Sequence, residues 1–367
     1  MNTNIDLSNM KKHFLSISCN NENNENNENN ENNEINKLKG KYKTKIINHC
    51  FNSINEANIS DIIKDNIPYY LNNYSIIEDY DYINISQLNG KYIDKISLNN
   101  TKYLIFSYKN EKYITLNDFL FSLTNPKIFI FNVIESFSYI LKSLIKLNHN
   151  NICFFNLSPK NIIFNLDCGE KPLLRNFNLS LQISKLNESY IRNIINNVED
   201  YTHKPLEVHV LFYLIKNDLN TISYSFIEEI CQIYVKNLSV LSFFSEKYKE
   251  SYKNSSIEIL KKYINKPKNQ IIIDILNQNH KWDVFSISVL YLHIFYNISK
   301  KFSLKLVLIN KIILKLSNNI HPSPLKRSSL DDLLKYFDEL FNDVCDWSFV
   351  NKLSKSVMYE LFTSLDK

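Results

Sequence analysis

Glycine is nearly missing, with 3 among 367 residues. Backbone cradles for phosphate need closely spaced glycines, because only a residue without Cβ lets the chain approach the anion so closely. Gly40 and Gly90 stand alone and no G-x-G-x-x-G occurs, so a glycine-rich nucleotide cradle is excluded. Long uninterrupted apolar runs are scarce too. Val284 to Ile298 falls short of the ~20 residues a membrane span needs. Ile128 to Leu147 is long enough but carries Glu135, Lys142 and Lys146. Met1 to Lys12 is polar and lacks the apolar core of a secretory signal. Cysteines at 19, 50, 153, 168, 231 and 345 include no C-x-x-C pair, which excludes a compact zinc site or disulfide framework. Isolated thiols point to a reducing compartment, hence an intracellular, cytoplasmic protein. No dense basic block exists and the net charge is only +5, which argues against a nucleic-acid partner. No membrane partner is expected either.

Apolar residues are plentiful, at 44% with 23 Tyr and 23 Phe, ample for a buried core. The length suits one large or two ordinary domains. Residues 20–34 repeat Asn-Asn-Glu without apolar anchors, which predicts a disordered tail over 1–34 serving as a spacer or interaction segment. Tyr42 to Asn48 alternates like a half-buried strand. Ile54 to Ile67 has near-helical apolar spacing and ends before Pro68. Tyr80 to Leu88 and Tyr103 to Tyr108 read as strands, with a hairpin signal at Asn89-Gly90. Beyond Thr115 helices dominate, at 116–123, 128–147, 207–216, 223–241, 256–264, 282–297, 303–316 and 329–342. Two short strands, 161–164 and 172–174, interrupt them. The fold class is therefore α+β, a small β-rich unit at 35–112 followed by a larger helical one at 113–345, with a tail at 346–367.

Five segments carry a resemblance. Phe154-Phe155-Asn156-Leu157-Ser158-Pro159-Lys160-Asn161 resembles the kinase catalytic loop His-Arg-Asp-Leu-Lys-Pro-x-Asn. Arg175-Asn176-Phe177-Asn178-Leu179-Ser180 stands where kinases have Asp-Phe-Gly. Lys204-Pro205-Leu206-Glu207 is similar to the Pro-x-Glu closing an activation segment. Trp282-Asp283-Val284-Phe285-Ser286 is similar to the buried helix start Asp-Val-x-Ser. His321-Pro322-Ser323-Pro324-Leu325-Lys326-Arg327 matches a late Pro-x-x-Arg. In order and spacing the chain resembles the protein-kinase superfamily, eukaryotic Ser/Thr type, over roughly 35–345. The Lys-Pro-Leu-Glu-Val-His element and a helical insertion at about 209–281 resemble divergent kinases of large DNA viruses; on that resemblance the compartment is a host cell.

The resemblance implies a two-lobed fold, ATP as cofactor and Mg²⁺ between metal-binding side chains at Asn161 and Asn176. It places the catalytic base at Asn156, a phosphate-steadying cation at Ser158, and a strand lysine with its helix partner at Lys45 and Glu56. Yet an amide accepts no proton near neutral pH, and a general base contributes about 10²–10⁴-fold. Asn176 offers a neutral oxygen where a hard cation favours a carboxylate, so magnesium would bind weakly. Ser158 lacks the ammonium. Asn178 replaces the glycine, and asparagine tolerates left-handed dihedrals there. Alternative roles stay open: Asn156 as a loop-holding amide, Lys45 as a solvated strand lysine, Glu56 as a first-turn acid. By contrast Glu207, Arg327 and Asp283, structural in the family, are present and charged. His203 and His209 have no metal-ligand spacing. The resulting expectation is a pseudokinase, a regulatory or binding module engaging a protein partner. The competing readings are a divergent active Ser/Thr kinase acting on a protein substrate, and a helical interaction protein whose motifs match by chance.

Overall fold

A computed structural model describes residues 42–84, 102–166, 171–301, 307–342 and 355–365. The Asn-Asn-Glu segment and the Asn89-Gly90 turn lie outside them. The chain divides into two compact units. In the smaller, strands β1 (Tyr42–Asn48), β2 (Asp79–Asn84) and β3 (Lys102–Lys109) form an antiparallel sheet of order β1-β3-β2. Register sets Ile46 opposite Ile105 and Ile83 opposite Tyr103. These four share one face, as the period of two requires, and form an apolar cluster there.

The larger unit holds residues 50–76 and 113 onward. Its first helix, α1 (Phe51–Asn66), was expected to belong with the strands around it in sequence. Instead Ile59 and Ile63 join the large core. Tyr74 follows it into that core and donates to the Ser143 carbonyl at 2.7 Å. Strands β4 (Tyr113–Thr115), β5 (Ile152–Cys153), β6 (Ile162–Asn165), β7 (Pro172–Leu174) and β8 (Leu181–Gln182) make two small sheets, β4-β6-β7 and β5-β8. That pairing decides the site. β5 enters and β6 leaves the loop 154–161, while β7 enters and β8 leaves the turn 175–180. Because β5 pairs with β8 and β6 with β7, both flanks of one loop are fixed to both flanks of the other.

Helices follow: α2 (Leu116–Ser122), α3 (Pro126–His149), α4 (Glu188–Asn196), α5 (Leu206–Lys216), α6 (Tyr224–Asn237), α7 (Glu246–Leu260), α8 (Lys268–Leu276), α9 (Trp282–Lys301), α10 (Val307–Asn319), α11 (Leu330–Asn342) and α12 (Lys355–Leu365). α3 starts with proline at its first position, and the Asn125 side chain accepts from the Lys127 and Ile128 amides. By length and composition α3 could cross a membrane, but two-thirds of its most apolar stretch is buried in this unit. Phe137 stacks on Phe337 at 4.3 Å and meets Tyr291 edge-on at 4.8 Å. α9 is buried on almost every side, as an all-round apolar helix must be.

Four helices differ from the periodicity reading, one of them α12, which forms inside the expected 346–367 tail and sends Met358 and Leu361 into the core. α7 begins ten residues before the expected 256, because Ser245 caps it and Tyr252 supplies a core contact in a polar stretch. α4 and α8 were not anticipated; each is a nine-residue helix whose apolar stripe is isoleucine-rich. The class is α+β.

Glu207, in the first turn of α5, and Arg327 form a buried bidentate pair at 2.6 and 3.0 Å. Arg327 also donates to the His321 and Pro322 carbonyls and lies 4.8 Å from the Phe285 ring. Arg327→Met therefore strands a buried carboxylate, and should lower unfolding free energy by about 3–5 kcal/mol in urea titrations. Glu207→Leu with Arg327→Met should cost less than the single change. A single substitution costing under about 1 kcal/mol would show the pair is not buried as described.

Candidate functional site

The loop 154–161 is built on two buried phenylalanines and one buried acid. Phe155 sits at φ 59°, an uncommon place for an aromatic residue. Asp283, at the start of α9, accepts the Phe154 N–H at 2.8 Å and the Phe155 N–H at 2.9 Å. Both carboxylate oxygens are thus spent on loop backbone. From the other side Lys204 Nζ donates to the Phe155 carbonyl and lies 4.1 Å from its ring centroid. A buried anion and a buried cation therefore grip the two backbone polar groups of one strained residue.

Burial pushes the Asp283 carboxyl up, against the two amide donors, the Cys153 thiol and Lys204, which pull it down. Burial likewise draws Lys204 down to about 8, opposed by Asp283, Cys153 and Asp200. The Cys153 thiol is driven well up by burial and then by Asp283, which keeps it protonated and unreactive. Lys204 escaped the sequence reading as a site residue; its signal was a lysine directly before the Pro-x-Glu element.

Asn156, Asn161 and Asn176 come together as one hydrogen-bonded chain. Asn161 Nδ2 donates to the Asn156 carbonyl at 2.7 Å, and Asn176 Nδ2 donates to Asn161 Oδ1 at 2.6 Å. The Asn156 carboxamide itself has no hydrogen-bond partner among the described residues; the loop is held through its backbone oxygen. The left-handed step of the second turn falls at Asn176, φ 61°, and not at Asn178. Residues Phe177–Leu179 form a 3₁₀ turn, so Asn178 is helical and the chain reverses one residue before that turn begins.

Beside this chain lies a cavity of about 570 Å³ lined by Asn52, Asn117, Asn156, Ser158, Asn161, Asn178, Asn196 and Asn197. Lys160, Glu199, Asp200, His203 and Lys204 complete its polar wall. Around Asn161 and Asn176 the chemistry it offers is neutral amide hydrogen bonding. A magnesium ion does not fit this donor set. Asn161 Oδ1 already accepts a hydrogen bond, the Asn156 and Asn176 oxygens beside it are neutral, and no metal-holding cluster of His, Cys, Asp or Glu occurs among the described residues. Lys45 and Glu56 belong to different units. Lys45 is exposed on β1, and Glu56 is half-buried on α1.

No protein-family model matches this chain, and no curated protein sequence does. Among solved structures it is similar to "Titin kinase and its flanking domains", with a TM-score of 0.43 and 10% identity. The match covers 88% of this chain and 46% of that one, so the chain spans about half its length.

Two histidines next to the loop set a pH response. Burial holds His203 and His209 down at about 4, with Lys204 adding to it in both. In the unfolded chain each takes up a proton near pH 6.5, so the unfolded state binds more protons between those values. Their contribution to stability is complete above pH 6.5 and is lost as pH falls toward 4. Urea midpoints should drop from pH 7 to pH 5, and the drop should shrink in the His203→Gln, His209→Gln double variant. A wild-type midpoint unchanged over that range would contradict the lowered pKa of these half-buried rings.

Proposed function

We propose that this kinase-like chain is a binding or regulatory module with little or no phosphotransferase activity. One contrast carries the reading. The charges that the frame uses, Asp283 and the Glu207–Arg327 pair, are kept and fully engaged. The positions that proton transfer and metal binding use carry amides; Asn176 is bonded to Asn161, and Asn161 to the Asn156 backbone. Loss of the base alone would leave a slow enzyme, since that term is about 10²–10⁴-fold. Loss of the metal carboxylate with it removes the neutralisation of phosphate charge on which phosphoryl transfer depends. The partner on this reading is a protein, recognised through hydrogen bonding at the amide-lined cavity, in an intracellular setting.

The second reading is a divergent Ser/Thr kinase transferring the γ-phosphate of ATP to a protein hydroxyl. The cavity open beside Asn156 favours it. Phosphate transfer to a generic Ser/Thr substrate, with Mg²⁺ or Mn²⁺, separates the two. The expected result is background transfer by wild-type protein. Transfer above background that Asn156→Ala abolishes would establish the kinase instead.

A further inference from the structure

We infer that an amide latch takes the structural place of a metal ion in this chain, with Asn161 and Asn55 as positioning residues for the turn 175–180. Asn161 is 7% exposed and Asn55 5% exposed. The direction of the latch is dictated by its ends. The Asn156 carbonyl can only accept, so Asn161 must turn its NH₂ toward it. That leaves Asn161 Oδ1 facing Asn176, which must then donate. The amide oxygen nearest the turn is consumed by the protein itself.

The far side of the turn obeys the same logic. Asn55 Nδ2 donates to the Asn178 carbonyl at 3.0 Å and to the Ser180 carbonyl at 2.8 Å. Its Oδ1 then faces Tyr190, whose hydroxyl donates to it at 2.7 Å. Ser180 Oγ closes the circuit by donating to the Phe154 carbonyl at 3.0 Å, joining turn to loop. Helix α1, the turn and the loop are thereby tied together by neutral hydrogen bonds that call for no cation. A carboxylate at 176 would instead oppose Asn161 Oδ1, two acceptors face to face, which near neutral pH a bound cation would reconcile. This inference concerns assembly of the turn and stands whether or not the chain transfers phosphate.

The test is thermal unfolding of the full chain in EDTA and in millimolar Mg²⁺ or Ca²⁺. Wild type should melt at the same temperature in all three. Asn176→Asp should melt lower in EDTA and recover with the cation; Asn161→Asp, which sets a carboxylate against the Asn156 carbonyl, should do likewise if the first variant does not fold. Asn55→Ala should speed amide exchange over 175–182 with no rescue by cation. A wild-type midpoint raised several degrees by Mg²⁺ would overturn the latch, and so would Asp variants that melt like wild type in EDTA and ignore the cation.

Discussion

Everything near the candidate site hangs on the Asp283 carboxylate and the two amide hydrogens it binds. Phe155 occupies a left-handed conformation that costs an aromatic residue roughly 1–2 kcal/mol. It stays there because its N–H is fixed to Asp283 and its carbonyl to Lys204. Asp283 is itself buried, in the first turn of a helix enclosed on almost every side. A buried, doubly bonded carboxylate of this kind can be neither neutralised nor shortened without releasing the loop. The arrangement explains why the loop keeps a definite shape although its first two residues are phenylalanines. Phe154 also packs edge-on against Phe177 at 5.1 Å, so the turn inherits the same order.

Upon that frame the chemistry is sparse. Nucleophilic or basic character is suppressed where it could arise: Cys153 is held protonated, and His203 and His209 are held neutral. The asparagines that line the cavity are good hydrogen-bonding groups and poor acid–base groups. Among them stand the charged side chains of Lys160, Glu199, Asp200 and Lys204.

Much of the frame was legible in the sequence because it rests on periodic burial and on charges within motifs. β1, α3 and α9 have strong periods or long apolar content, and Glu207, Asp283 and Arg327 lie in recognisable surroundings. What stayed hidden depends on contacts distant in sequence. α1 looked like part of the strand unit because strands flank it, while Asn55, 123 and 125 residues before its partners, ties it to the turn. Lys204 looked like one lysine among many until its ammonium was seen buried under the loop. The three asparagines were visible singly; that they bond to one another in a forced direction is a three-dimensional fact. α7 was shortened because tyrosine in a charged stretch reads as surface, yet Tyr252 donates to the Ile320 carbonyl at 2.6 Å within the core.

The central claim is a retained frame whose metal-dependent chemistry has been replaced by amides. Calorimetric titration of ATP into wild-type protein, with and without magnesium, addresses it most directly. The account predicts that magnesium adds nothing to whatever binding the nucleotide shows alone. ATP binding that appears or tightens sharply only with magnesium would contradict it.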